Sequence, residues 1–151
     1  MNIDINLIKQ LRDRTSAGVA DIRSALEEAK GDLKKAEEIL KKKGFERASK
    51  KADRATRAGL IEAYVHQGRV GALVEVACET DFVARTDEFK TLTHEIAMQV
   101  ASMNPKDSSA LLSQEYIRDP SKTIGDLIKE AIAKLGENII VGRFSRFELG
   151  K

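Results

Sequence analysis

Apolar side chains recur every three or four residues through the first 40 positions of the chain, and this spacing predicts three short helices. The residues expected to face inward are Ile5, Ile8 and Leu11, then Val19, Ile22, Leu26 and Ala29, then Leu33, Ala36 and Leu40. The second helix should end at Gly31. The third should begin after Asp32, a candidate N-cap, and end at Gly44. Three helices of this length predict a minimal bundle with a small core.

Strand-like segments follow the helices. Residues 59–66 and 70–78 are predicted to pair as a hairpin, because Gly68 in the intervening turn adopts positive φ without a steric penalty. Every other residue from Val70 to Cys78 is apolar and lies on one face of the second strand. That face should pack under helices.

A long stretch of helical spacing follows the hairpin and runs to Met103. The helix should end by Asn104, because a residue before a proline is disfavoured in the helical conformation. Another helix is expected to begin after Thr123, with Asp126 three residues later as the second member of a capping box. Gly136 should end it.

The remaining segments complete the predicted fold. Residues 107–119 predict a short helix and loop with three apolar anchors, Leu111, Leu112 and Ile117. Residues 139–149 predict a final strand. The fold class is therefore α+β, with a three-helix N-terminal domain and a core domain in which a three-stranded antiparallel sheet packs with helices.

Length and charge divide the chain further. We expect the N-terminal domain over residues 1–45, a basic linker over 46–58 and the core domain over 59–151. Residues 41–57 are the most basic part and predict a solvated linker, either helical or irregular. The alternative is a nucleic-acid contact such as ribosomal RNA, which Phe45 alone would support by base stacking. The formal net charge of +2 excludes a polyanion binder driven by overall charge.

Cysteine content and hydropathy indicate the compartment. Cys78 is the only cysteine, so no disulfide is possible within the chain, which fits a reducing cytosol. No segment approaches the roughly 20 apolar residues that span a bilayer, and the first residues do not resemble a signal peptide. We therefore expect a soluble, cytoplasmic protein without a membrane partner.

The most informative stretch is the junction between the second strand and the long helix, residues 79–85. Thr80 is a candidate N-cap, and Asp81 places a carboxylate at the positive end of the helix dipole. Phe82 has two interpretations. Helical spacing puts it on the same stripe as Phe89, which favours the core. Alternatively, the junction presents Phe82 and Asp81 outward to a partner protein.

The amino-acid sequence of this region closely resembles the core motif of the elongation factor Ts family, the nucleotide-exchange factors of elongation factor Tu. The resemblance lies in residues 66–71, which read HQGRVG, and residues 74–85, which read VEVACETDFVAR. Segments 135–139 and 143–147 resemble the close of the family's core domain. The N-terminal segment is similar to the family's N-terminal domain at Leu11-Arg12-Asp13-Arg14-Thr15, Ala17-Gly18, Ala25-Leu26 and Gly31-Asp32.

The resemblance implies a function and its residues. It implies a ubiquitin-associated-like N-terminal domain that docks on elongation factor Tu through Arg12, Val19 and Ala20. It also implies that residues Thr80, Asp81, Phe82 and Val83 disturb the Mg²⁺ site of that GTPase, with Phe82 as a wedge. GDP would then leave and GTP replace it, so the factor would bind both the GDP-bound and the nucleotide-free partner.

This chain departs from the family pattern in three respects. Ser16 stands where the family usually has glycine, and Val19-Ala20 replaces a common pair of methionines. The chain is also short for the family, with room for one hairpin, one long helix and a closing strand. A homodimer, in which a second copy supplies the missing half, is the corresponding hypothesis.

Enzymatic sites are not predicted. His66 and Cys78 would lie at opposite ends of the hairpin, about 26 Å apart at roughly 3.3 Å per residue, too far for a catalytic dyad. His94-Glu95 lacks the second histidine of a zinc-protease motif, and there is no phosphate-binding loop. Acidic residues 79, 81 and 87 are more often capping or surface groups than metal ligands. We expect an exchange factor without a catalytic site, metal, cofactor or specific nucleic acid.

Overall fold

The computed structural model describes residues 2–151, which contain seven helices and five strands joined by turns and loops. They are α1 (Ile5–Thr15), α2 (Val19–Glu28), α3 (Leu33–Lys50), β1 (Ala58–His66), β2 (Val70–Cys78), α4 (Asp81–Ala84), α5 (Asp87–Met103), α6 (Ser108–Ser113), β3 (Glu115–Tyr116), β4 (Asp119–Thr123), α7 (Ile124–Leu135) and β5 (Ile139–Glu148). This mixture of helices and antiparallel sheet confirms the predicted α+β class.

Helices α1, α2 and α3 enclose the first hydrophobic cluster. Its buried members are Leu11, Ile22, Ala25, Leu26, Ala29, Ala36 and Leu40. Two of the residues predicted to face inward are exposed instead, Ile5 by 69% and Val19 by 44%. Each is the first residue of its helix. Because helical side chains lean toward the N-terminus, these two extend past the end of the bundle.

Helix α3 continues through Gly44 to Lys50, so the prediction that Gly44 ends it is wrong. A β-carbon at Gly44 would lie 3.1 Å from the β-carbon of Ala133 on α7, so the glycine lets the two helices approach closely. Ala48, one turn further, is 3% exposed and belongs to the second hydrophobic cluster. Residues 41–50 of the basic stretch are therefore helical, one of the two predicted alternatives. Ala48 packs against the core, while six of these ten residues are exposed.

Strands β1, β2 and β5 form an antiparallel sheet with β2 in the centre, which confirms the predicted three strands. The buried residues of β2 alternate along the strand and are Ala72, Val74, Val76 and Cys78. Helix α5 packs on β1 and β2, and α7 contacts β5. In the β1–β2 turn, φ is positive at both Gln67 (52°) and Gly68 (67°). The predicted glycine turn thus has a second left-handed residue.

The helix predicted after Asp81 is divided into α4 and α5. The division lies at Thr86, which caps α5 by accepting from the backbone N–H of Phe89 at 3.2 Å. The Thr86 hydroxyl also donates to the carbonyl oxygen of Val83 at 2.7 Å. Because the two helices have separate axes, residues of α4 do not share the inward stripe of α5.

Residues 107–123 contain a hairpin that the sequence analysis missed. Strands β3 and β4 pair where a loop was predicted, while α6 is the expected short helix. Tyr116 Oη donates to Glu95 Oε2 at 2.7 Å, which fastens the hairpin to α5. Burial, together with this carboxylate, raises the pKa of Tyr116 to about 12. Leu111 is buried as predicted, whereas Leu112 and Ile117 are each 38% exposed.

The C-terminal helix and strand lie close to their predicted bounds. Thr123 and Asp126 form the predicted capping box, and Gly136 ends α7 with a φ of 78°. Strand β5 runs antiparallel to β2, with a register irregularity between Val74 and Val76. None of the helices within residues 2–151 has the length and apolar character needed to cross a membrane.

Candidate functional site

The junction between β2 and α4 is a tight, capped turn. Strand β2 ends at Cys78, and Thr80 has the extended backbone of an N-cap, with φ of −129° and ψ of 157°. Its hydroxyl oxygen accepts from the backbone N–H of Val83 at 3.4 Å. Asp81 is the first residue of α4 and is exposed. Thr80 is thus confirmed as the predicted N-cap, and the Asp81 carboxylate lies at the N-terminus of the helix.

Phe82 projects into solvent. Its side chain is 86% exposed, so the interpretation of Phe82 as a core residue is wrong. The next two residues anchor the helix. Val83 packs against the second hydrophobic cluster, and Ala84 is only 3% exposed. Because a ring of this size is normally buried, its exposure on an anchored turn is informative.

Glu137 holds the junction from the loop between α7 and β5. Its Oε1 accepts from the backbone N–H of Thr80 at 2.9 Å, and its Oε2 accepts from the Thr80 hydroxyl at 2.6 Å. Both carboxylate oxygens are therefore used on one residue, the N-cap of α4. Charge-assisted bonds of this length are among the stronger hydrogen bonds in proteins.

The neighbouring residue, Asn138, joins the same junction to the segment before β1. Its backbone N–H donates to Glu79 Oε2 at 2.7 Å. Its side-chain amide donates to the carbonyl oxygens of Ala52, at 3.2 Å, and Arg54, at 2.9 Å. Asn138 is 2% exposed, so these bonds are partly buried. Three distant parts of the chain thus meet at Glu79, next to the turn that carries Phe82.

Sequence reasoning missed these contacts. It noted Glu137 and Asn138 only as part of a segment that resembles the close of the family's core domain. The local signal was a glycine that ends a helix, followed by two polar residues before a strand. Such a signal predicts a turn, but it does not say which backbone groups the side chains reach.

The cysteine and histidines do not form a reactive site. In the hairpin register His66 pairs with Val70 and Cys78 pairs with Ala58, at opposite ends of the strands, as the sequence predicts. Burial raises the pKa of the Cys78 thiol, and the Glu137 carboxylate raises it further. Cys78 therefore remains a neutral thiol near pH 7, and it donates to the Thr80 carbonyl oxygen at 3.2 Å.

The residues expected to dock the N-terminal domain lie on a different surface. Arg12, Val19 and Ala20 are all exposed, on α1 and α2. They lie on two of the helices that enclose the first hydrophobic cluster, whereas Val83 of the Thr80–Val83 turn packs against the second. The structure therefore presents two separate candidate surfaces, connected through α3, which packs against α7.

Metal ligation has little support in the described residues. Within residues 2–151, no group of three or more histidine, cysteine, aspartate and glutamate side chains is arranged to hold a metal ion. Glu79, one of the acidic residues considered for this role, bonds to Asn138 and lies 3.6 Å from the guanidinium of Arg54. Its carboxylate acts in the junction itself.

Comparison with known proteins identifies the family. Residues 79–151 match the family model described as Elongation factor TS. The chain is 47% identical to Elongation factor Ts of Coprothermobacter proteolyticus over 197 aligned positions, which cover 100% of both chains. The chain belongs to the elongation factor Ts family. It is also 45% identical to Elongation factor Ts of Thermotoga neapolitana, over 100% of this chain and 99% of the relative. Membership makes it a translation elongation factor.

The alignment also shows how this member of the family differs from its relatives. The 197 aligned positions exceed the 151 residues of this chain, so at least 46 positions have no residue here. The match nevertheless covers the full length of both proteins. The alignment with this relative therefore contains gaps on the side of the present chain.

Proposed function

We propose that this protein binds elongation factor Tu in its GDP-bound form, displaces the Mg²⁺ ion and so promotes exchange of GDP for GTP. The observation that supports this most directly is Phe82, 86% exposed on a turn that is fastened from behind. An exposed aromatic side chain at a fixed position is suited to enter an apolar slot of another protein. The factor needs no catalytic site of its own for this task.

The physical basis lies in the geometry of the partner's metal site. A P-loop GTPase holds GDP through backbone N–H groups, a lysine and Mg²⁺. Magnesium requires nearly ideal octahedral coordination, so a small shift of the elements behind it weakens the whole site. In our proposal, Phe82 supplies the shift as a wedge, with Thr80 and Val83 at its sides. Asp81 redirects polar groups close to the ion.

Docking through a second surface supplies binding energy. We infer that Arg12, Val19 and Ala20 contact the nucleotide-binding domain of elongation factor Tu. Coupling between two ligands is reciprocal, so a factor that weakens GDP binding is itself bound less tightly when GDP is present. A separate docking surface allows the factor to bind both the GDP-bound and the nucleotide-free partner.

Release of a fluorescent GDP analogue from purified elongation factor Tu tests the proposal. Adding the protein at micromolar concentration with excess unlabelled nucleotide should accelerate release by at least about tenfold, equivalent to roughly 1.4 kcal/mol in the barrier. Heat-unfolded protein serves as the control. An unchanged release rate with a correctly folded sample would reject the exchange function.

We also propose that the protein forms a homodimer through the outer face of its sheet. The residues that line this face are largely apolar and exposed: Ile61, Val65, Leu73, Ile140 and Phe147. An antiparallel sheet with one solvated face normally carries polar residues there. Glu75 and Arg143, the charged pair on this face, bond to each other at 3.1 Å, so covering them would leave no unpaired charge.

Sedimentation velocity at micromolar concentration tests the dimer. The unmodified protein should sediment as a dimer, and Leu73→Arg should shift it to a monomer, because an arginine in the centre of the covered face would lack a partner. Ile117→Arg, on the β3–β4 hairpin, is the matched control and should remain dimeric. A monomeric unmodified protein with full exchange activity would show that no second copy is required.

The basic stretch does not support nucleic-acid binding as a second function. Several of its cations are paired within the protein: Arg47 with Asp21 at 2.7 Å and Arg54 with Glu79 at 3.6 Å. Lys41 lies 3.8 Å from the Glu130 carboxylate. Such pairing reduces the charge available to phosphates.

A cytoplasmic location is part of the proposal, since Cys78 is a free thiol, typical of a reducing compartment.

A further inference from the structure

We infer that Glu137 is a positioning residue for nucleotide exchange: its carboxylate fixes the direction in which α4 presents Phe82. This inference rests on the exchange function proposed above and assigns a residue outside the Thr80–Val83 motif to it. Glu137 lies 57 positions from Thr80 in the sequence, and both of its carboxylate oxygens accept from that single residue.

The small size of α4 explains why it needs such support. The helix has four residues, and its own backbone bonds include Ala84 N–H to the Thr80 carbonyl oxygen at 3.2 Å and Arg85 N–H to the Asp81 carbonyl oxygen at 3.1 Å. A helix this short is unstable by itself, since nucleation fixes several residues for one hydrogen bond. Its orientation must therefore come from contacts with the rest of the protein.

Those contacts include apolar packing and hydrogen bonds. Val83 and Ala84 fasten the helix to the hydrophobic cluster from below. Packing of this type is non-directional, so by itself it does not define the direction of the N-terminal end. Glu137 fixes that end, because two bonds to one residue define an orientation as well as a distance. Phe82 is two residues away, so a rotation at Thr80 would displace its ring.

The loop that carries Glu137 is itself tied to the rest of the protein by hydrogen bonds. Gly136 ends α7 in the left-handed conformation, with φ of 78°, and turns the chain toward β5. Asn138 is buried and bonds on both sides, to Glu79 and to the carbonyl oxygens of residues 52 and 54. Glu137 therefore connects the loop between α7 and β5 to Thr80, and so fixes where Phe82 lies relative to the core. A misplacement of about 1 Å at such a contact can cost roughly a hundredfold in rate.

The test compares Glu137→Ala with Asp126→Ala. Asp126 lies at the other end of α7 and also accepts from the backbone N–H of an N-cap threonine, Thr123, at 3.1 Å. Each variant thus loses a carboxylate at a helix cap, but only one cap belongs to α4. Glu137→Gln keeps one oxygen acceptor and should be intermediate. Thermal melting of all three variants verifies that they fold.

The first measurement is amide hydrogen exchange, which needs no partner. In Glu137→Ala, protection of the Ala84 and Arg85 amides should fall by at least about tenfold, because one charge-assisted bond alone contributes about 1.5 kcal/mol or more. In Asp126→Ala the same amides should keep their protection. If α4 remains equally protected without Glu137, the inference is wrong whatever the exchange activity.

The second measurement is the rate of GDP release as a function of factor concentration. Glu137→Ala should lower the maximum rate by about tenfold and leave the half-saturating concentration within about twofold, because docking through α1 and α2 is retained. A loss that appears only in the half-saturating concentration would overturn the positioning role. If the unmodified protein does not accelerate release, the proposed function fails first, and the inference with it.

Discussion

Replacing Phe82 with alanine should leave the fold intact and remove most of the acceleration of GDP release. The ring is 86% exposed, so its loss creates no cavity, and the free energy of unfolding should change by less than about 0.5 kcal/mol. Aromatic anchors that fill a partner's pocket typically contribute about 2 kcal/mol or more. At roughly 1.4 kcal/mol per factor of ten, the maximum rate should fall by about thirtyfold.

The measurement combines stopped-flow release of a fluorescent GDP analogue with thermal melting of the same samples. Leu112→Ala, at an apolar residue of α6 that is 38% exposed, is the control and should retain its rate of GDP release. Binding of the Phe82→Ala variant to elongation factor Tu should persist through the N-terminal domain. A variant that melts normally and still releases GDP at the full rate would remove Phe82 from the mechanism.

The sequence predicts elements best where a local chemical signal marks their ends. The capping box of Thr123 and Asp126 and the stop at Gly136 locate α7 within the chain, and both are confirmed. Thr80 is likewise a confirmed cap. In each case the signal and its consequence lie within a few residues of each other, so no knowledge of the tertiary structure is needed.

Prediction from the sequence fails where the role of a residue depends on tertiary contacts rather than on its neighbours in the chain. Gly44 looks like a helix stop, yet it is a close-packing site against Ala133, and α3 continues past it. The hairpin of β3 and β4 has too few alternating residues to be recognised, and its order comes from contacts with α5, such as that of Tyr116 with Glu95. Helix propensity and hydrophobic spacing do not contain these contacts.

The candidate site shows both situations. The resemblance of residues 79–85 to a family motif indicates which residues matter, but helical spacing alone would place Phe82 in the core. The structure decides against the core because α4 ends at Ala84 and Thr86 caps a new helix, so Phe82 and Phe89 belong to different helices. Support from Glu137 could not be predicted, since it bridges 57 positions of sequence.

Phe89→Ala is the counterpart of the first variant and should have the opposite result. Phe89 is fully buried beneath the sheet on α5, seven residues from Phe82. Deleting a buried phenylalanine side chain costs about 3–5 kcal/mol, because transfer energy is lost and a cavity remains. For a domain of this size, the melting temperature should fall by roughly 10 °C or more.

The comparison of the two variants separates a wedge from a core residue. Phe89→Ala should lose exchange activity only in proportion to its unfolded fraction, so activity corrected for folded protein, measured well below the melting temperature, should stay near that of the unmodified chain. Phe82→Ala should show full folding and a reduced rate. If both substitutions lowered stability by similar amounts, the ring of Phe82 would be packing against its own protein in solution, and exchange would require another explanation.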